Sequence, residues 1–296
     1  LLSGMSKRYD LTVSPLQTDS SLVVVKVANA ASMMELIEEI QANPEVEYAE
    51  PNYVYHINSA EVVAKDEEVV PNDPQFNLDW GLLNTGQADS KGQVGTAGSD
   101  IAATKAWKIG TGSKSIIVAD IDTGVDYNHE DLKDNMFLNV NEIAGNGKDD
   151  DNNGFTDDVR GWNFNLKKND PMDDNKHGTH TSGTIGAVGN NGKGTAGVAW
   201  NVTILPIKFL SAQGSGSLAD AVESIKYATK MGAHIMSNSW GGGGFSQTMF
   251  DAIKAARDKN ILFIAAAGNE SNNNDAKTTY PAGYKLENVM AVAATD

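Results

Sequence analysis

The chain has 296 residues, 39 acidic against 23 basic side chains and a formal net charge of −16. That length accommodates one large domain plus a small one, and the charge disfavours nucleic acid or an anionic membrane surface as partner, because phosphate would be repelled. There is no cysteine, which removes disulfides, thiolate chemistry and cysteine zinc sites, and no apolar run nears the roughly 20 residues of a membrane span.

Residues 1–58 read as a small α+β module. Leu22–Val27 has the β-branched content of a strand; Ser32 with Glu35 matches a capping box, and Leu36, Ile37 and Ile40 share one helix face. Asn43-Pro44 ends that helix, and Glu47–Tyr55 reads as a final edge strand that tolerates Pro51. The charged, unpatterned stretch 59–70 is a linker and the domain boundary. No basic start with an apolar stretch opens the chain, so a signal peptide is expected to be missing or already removed.

From Pro71 to Asp296 the pattern becomes α/β. Asp100 caps a short helix to Lys108 closed by Gly110; Ser115–Ile121 is nearly all apolar, as in a parallel strand covered on both faces. Thr203–Leu210, Ile235–Asn238, Ile261–Ala267 and Val289–Ala294 are further strands. Between them lie a helix capped by Ser217 that stops at Gly232, and another over Gln247–Lys259. This alternation predicts an open, mostly parallel sheet with helices on both faces and ligands at the carboxyl ends of its strands.

Three polar motifs fall at such positions. Asp122, in Asp-Thr-Gly, ends the first strong strand; His177 opens the small-residue helix His-Gly-Thr-His-Thr-Ser-Gly-Thr; Asn269 follows Ala-Ala-Ala-Gly. Each has a plainer reading, as a turn or helix cap. Together, a carboxylate that orients an imidazole and an amide that donates to an oxyanion are parts of a serine hydrolase site. Gly110–Ser115 imitates a phosphate loop but precedes its strand and lacks the glycine before lysine.

In sequence, order and context these motifs resemble the subtilisin-like serine proteases, the subtilases of peptidase family S8. The resemblance covers Pro71 to Asp296 and implies that Asp122 orients the imidazole, His177 is the general base and acid, Asn269 donates to the oxyanion, and His180 is structural. It further implies that Gly214, Ser215 and Gly216 form one wall of a peptide cleft and Ser239, Trp240 and Gly241 the other; Trp240 by itself suggests only that large apolar groups are accommodated. Residues 1–58 resemble the family's inhibitory prodomain, of ferredoxin-like fold and I9 inhibitor type, incomplete at its start, with maturation cleavage expected at Asn58-Ser59. No segment after Asn269 resembles the Gly-Thr-Ser-Met-Ala stretch that bears the family's nucleophile. The catalytic serine is therefore expected on a C-terminal remainder, present as a second chain or a missing segment, and residues 1–296 alone are expected to be inactive, with an incomplete sheet. A secreted or periplasmic bacterial zymogen acting on protein or peptide substrates is implied.

The run Asp149–Asp158 carries a second signal. Asp149, Asp151, Asn153, the Phe155 carbonyl and Asp157 follow the oxygen spacing of a calcium loop, although Arg160 stands where an EF-hand has its bidentate glutamate. A free-standing Ca²⁺ loop is expected, with a second site at Asp131 and the Asn190-Asn191 turn implied by the family. Two other classes stay open at this stage. One is a non-catalytic, calcium-dependent binding homologue; the other is a metal hydrolase built on His177 and His180, which lacks a Glu-x-x-His pattern.

Overall fold

The computed structural model describes residues 8–19, 21–29, 32–57, 69–89, 91–271 and 273–294, with only the backbone described for 54–57. Strands β4 (Gly112–Asp122), β5 (Trp162–Asn163), β6 (Asn201–Lys208), β8 (Ile235–Asn238), β10 (Leu262–Ala266) and β11 (Val289–Val292) form a six-stranded sheet in the order β11-β10-β8-β4-β6-β5. Every pairing in it is parallel.

Residues alternate across this sheet because successive side chains of a strand point to opposite faces. Ala119, Ile121, Leu205, Ile207, Met236 and Phe263 are buried on one face beneath α4 (Leu218–Lys230) and α5 (Gln247–Arg257), in the same cluster as Val222, Ile225, Met249 and Ile253. Val118, Val202 and Ile204 lie on the other face with Ala187, at the end of α3 (His177–Gly186). Helices thus cover both faces, which is why β4 and β6 read as continuous apolar runs.

The helix signals identify their own ends. Ser217 Oγ accepts from Asp220 N at 3.1 Å at the start of α4, and Gly232, with φ +75°, follows its end. Ser246 Oγ caps α5 through Met249 N at 3.1 Å. The short helix α2 (Ala103–Ala106) begins later than Asp100, whose carboxylate accepts from Ala102 N and holds the preceding turn.

The N-terminal module contains a two-stranded antiparallel hairpin, β1 (Leu11–Pro15) and β2 (Val23–Val27), against helix α1 (Met33–Gln41), whose Leu36 and Ile40 are buried with Tyr9. Two local expectations change. Ser32 makes no side-chain cap, and Glu35 instead binds the Arg8 guanidinium at 2.7 Å. The final strand begins only at Val54, after Pro51, and it is not an edge. As β3 (Val54–Ile57) it is the middle strand of a separate antiparallel sheet, between β7 (Ser215–Ser217) and β9 (Trp240–Gly241).

Where β4 meets α3 there is room only for glycine. A methyl group on Gly178 would run into the Gly124 carbonyl oxygen, and Gly124 itself has φ +95° beside the Pro171 carbonyl. Replacing Gly178 with alanine is expected to destabilise the chain by about 1–3 kcal/mol, the usual range for overpacking. Denaturant unfolding measures this, and an unchanged midpoint would show that the helix can shift freely.

Candidate active site

Asp122 is the last residue of β4 and has no exposed surface. Its two carboxylate oxygens lie 2.8 and 3.0 Å from His177 Nδ1. A carboxylate only accepts, so Nδ1 carries the hydrogen and Nε2 is left as the basic nitrogen. Thr123 N donates to the same carboxylate at 2.6 Å, and the Thr123 hydroxyl accepts from Gly178 N, so the strand end and the helix start are tied on both sides of the pair. Sequence reasoning selects both residues, and the fold brings them into contact.

The histidine is aimed by a residue that the motifs do not point to. Asp173 accepts from the amides of Asn175, Lys176 and Thr179 and from the hydroxyls of Thr123 and Thr179, at 2.6–3.1 Å. These bonds fix the turn before α3 and satisfy the Thr179 amide in its first turn, while the Gly178 and His177 amides go to Thr123 Oγ1 and Asn175 Oδ1. Burial opposes ionisation of Asp173, but the hydrogen bonds from Thr179 and the neighbouring amides hold its carboxyl below the usual range. They also fix Lys176, directly before His177, at φ +96°, a conformation costly for a non-glycine residue and met most often at functional sites. The signal available in the sequence was an aspartate shortly before a helix whose start has no capping side chain of its own.

Lys208 closes the same end of the sheet. It is opposite Asp122 in the β4–β6 register, is 1% exposed, and donates to the carbonyls of Thr123 and Leu210 and to Asp174 at 2.6–2.9 Å. A buried ammonium with its donors filled in this way anchors the loops around the pair.

Asn269 is not part of this contact. It follows β10, two strands from β4, and is exposed. His180 lines an open cavity of about 470 Å³ with His129, Asp126 and Asp131.

The two suspected cleft walls are strands β7 and β9. In the β3 register Tyr55 faces Gly216, His56 faces Ser215 and Gly241, and Ile57 faces Trp240. Gly214 precedes the first wall at φ +73°, and Ser239 precedes the second. The Trp240 indole packs inward. It is wholly buried, 4.9 Å from the Phe209 ring, with Nε1 donating to the Ile121 carbonyl at 2.8 Å, because an alternating strand must send one side chain into the core. The ring of Tyr53 lies against Gly243 and Gly244, close enough that no side chain would fit on Gly243. The expected cleavage pair Asn58-Ser59 falls outside the described residues.

The N-terminal module also reaches two helix ends. Glu50 accepts from the Ser246 hydroxyl at 2.6 Å and the amides of Gln247 and Thr248 at 2.7 and 3.2 Å, at the start of α5. Asn52 Oδ1 accepts from Ala219 N at 2.7 Å, and the Tyr53 carbonyl from Leu218 N at 2.6 Å, at the start of α4. An anion at a helix N-terminus is favoured by the open amides and the helix dipole.

In the acidic loop the carboxylates that converge are Glu142, Asp151 and Asp158, whose oxygens lie within 4.8 Å of one another. Only Asp151 of these belongs to the spacing pattern. Asp149 is occupied by the amides of Asn153 and Gly154, and Asp157 by those of Asn146 and Gly147, so both shape the loop. Asn153 donates to Asp151 and Asp158, and Phe155 anchors the loop in an aromatic cluster with Trp162, Phe164 and Tyr227. Burial pushes the Asp158 carboxyl up, although Tyr227, Asn153 and Asn139 all donate to it. Three crowded carboxylates of this kind are a set that could hold a metal ion. Asp131 is separate: it accepts from Asn191 Nδ2 and Thr195 N, while Asp73 accepts from the amides of Asn190 and Asn191.

The subtilase family profile matches residues 113–296, and the profile of the fervidolysin N-terminal prodomain matches residues 3–52. The chain belongs to the subtilase family. It is 34% identical over 278 residues to the thermophilic serine proteinase of Bacillus sp. (strain AK1), covering 94% of this chain and 55% of that protein. It is 42% identical over 153 residues to subtilisin-like protease 1 of Plasmodium falciparum (isolate 3D7), covering 51% of this chain and 22% of that protein. Against thermitase of Thermoactinomyces vulgaris it is 34% identical over 226 residues, 76% of this chain and 66% of thermitase. This subtilase chain therefore spans about half the length of the Bacillus relative and under a quarter of the Plasmodium one. Among its described residues no helix is long and apolar enough to cross a membrane.

Proposed function

We propose that this subtilase is the precursor of a secreted or periplasmic, calcium-binding serine endopeptidase whose N-terminal module fills its own substrate cleft. The observation that carries the reading is β3, an extended segment hydrogen-bonded antiparallel to both β7 and β9. Main-chain pairing on two sides is how a protease holds an extended peptide, and it recognises backbone rather than one side-chain sequence. A cleft occupied in this way by the chain's own segment is inhibited, and Glu50 and Asn52 add charge and hydrogen bonds at two helix ends to hold the module there.

In the proposed reaction a serine hydroxyl attacks the peptide carbonyl carbon while His177 Nε2 takes its proton. Asp122, buried and bonded to Nδ1, stabilises the imidazolium that results. Asn269 donates to the tetrahedral oxyanion, and loss of one such donor costs roughly 2.7–4 kcal/mol of transition-state stabilisation. His177 then returns the proton to the leaving amine, and water hydrolyses the acyl-enzyme by the same exchange. The nucleophile is assigned to a C-terminal remainder beyond residues 1–296, since no serine within them stands in the family's Gly-Thr-Ser-Met-Ala context.

The calcium ion is assigned to Glu142, Asp151 and Asp158, with the carboxylates of Asp151 and Asp158 held in place by the side-chain amides of Asn139 and Asn153. Asp149, Asn153, Phe155 and Asp157 form the frame of the loop. Neutralising three carboxylates would hold rigid the segment between β4 and α3, and a second ion at Asp131 would do the same for the 190–195 turn.

A fluorophosphonate probe is expected to label the complete mature gene product and to lose that label in His177→Ala; absence of label on the wild type would overturn the enzyme reading. Calcium is expected to raise the melting temperature and EDTA to lower it. The gain is about 2.7 kcal/mol at a hundredfold excess over Kd, and Glu142→Gln reduces it. A melting temperature indifferent to EDTA would remove the ion.

A further inference from the structure

Asp120 stands two residues before Asp122 on β4, so its side chain projects on the same face, toward α3. It is completely buried. Its Oδ2 lies 2.9 Å from the Thr181 hydroxyl and 2.6 Å from the Ser182 hydroxyl, while Oδ1 is enclosed with no partner. The charged or titratable groups on the packed elements are few. Asp122 is on the same strand; α3 carries His177 and His180, the latter exposed at the open cavity; and β6 carries Lys208, with its ammonium spent on Asp174 and two carbonyls; β8 places Ser237 opposite and carries no charge. An ionised Asp120 would put a second negative charge in a dry site beside Asp122 with no cation of its own.

The hydroxyls indicate how the site avoids this. Thr181 has one hydrogen to give but two oxygens within reach, Asp120 Oδ2 and the Gly178 carbonyl at 3.0 Å. Both contacts are hydrogen bonds at once when the acid carries the proton: Asp120 donates to Thr181 Oγ1, Thr181 donates to the Gly178 carbonyl, and Ser182 donates to Asp120. The relay ends on the residue that follows His177.

We propose that Asp120 is a positioning residue, held as a neutral carboxylic acid, that clamps the first turn of α3 to β4 and keeps a second negative charge away from the Asp122–His177 pair until it ionises. Burial, followed by the charge of Asp122, pushes its carboxyl up to about 8. A carboxyl raised on folding stabilises the fold fully below the ordinary carboxylate range of about 4, and that contribution declines as pH rises from there and is gone above the folded value. The neutral clamp is thus present at neutral pH and lost in alkali, where the added charge favours the imidazolium of His177. This rests on His177 being the general base, but its test needs no turnover, so it can fail independently of the fluorophosphonate result.

The test is an NMR titration of the ¹⁵N-labelled histidine rings in the full chain. In the wild type the His177 signals are expected to show an inflection as Asp120 ionises at about pH 8. Asp120→Asn is expected to remove that inflection and keep the His177 Nδ1–H resonance, whereas Asp120→Val weakens or loses that resonance. Identical curves for wild type and Asp120→Asn would overturn the proposal. Should the variants not fold, the ¹³C carboxyl shift of Asp120 in the wild type decides directly. A protonated-acid shift at neutral pH supports the clamp, and a carboxylate shift there rejects it.

Discussion

A carboxylate placed at the end of a strand that is covered on both faces must find a donor, because water does not reach it. Asp122 finds His177, and much of the surrounding structure follows from keeping that contact. Gly178 and Gly124 allow the helix start to approach the strand end, Asp173 holds the turn before the helix and the Thr179 amide within it, and Lys208 ties the adjoining loops through two carbonyls and Asp174. None of these residues performs chemistry. They hold one ring in one tautomer, which is what a general base requires.

The proposed block of the site by the N-terminal module rests on the edges of two short strands. β7 and β9 each present a free edge to the groove, and an unpaired edge is a template for any extended chain. β3 supplies the missing strand, so the two walls become one antiparallel sheet. Glu50 and Asn52 then add contacts at α5 and α4 that a short substrate lacks. The tip of the β1–β2 hairpin makes a third attachment, with Thr18 bonded to Glu223, Asp19 paired with Lys226 at 3.2 Å, and Gln17 donating to the Gly154 carbonyl. Inhibitor and substrate would share the backbone pairing and differ in the attachments around it.

What was legible in the sequence is what depends on local pattern. β4 and β6 are visible because burial on both faces demands an apolar run, and α4 because Ser217, its 3.6-residue period and Gly232 all agree. Asp122 and His177 are visible because their motifs fall at element ends. What was not legible depends on contacts between distant residues. The run Glu47–Tyr55 gives no hint that Val54–Ile57 lies between two strands far along the chain. The calcium spacing finds the loop but not the convergence, since Glu142 comes from an unpatterned segment and Asp149 and Asp157 spend their oxygens on backbone amides. Asp120 reads as one polar residue in a strand until the hydroxyls of α3 are placed above it.

Hydrogen–deuterium exchange at Ser215–Ser217 and Trp240–Gly241 tests most directly whether the groove is a peptide site filled by the chain's own strand. With residues 1–58 attached, these amides are expected to exchange slowly; with 1–58 removed they should exchange fast, and an added peptide of residues 50–58 should slow them again. Equal exchange with and without residues 1–58 would contradict the pairing of β3 with β7 and β9, and with it the proposal that this subtilase is held in check by its own N-terminal module.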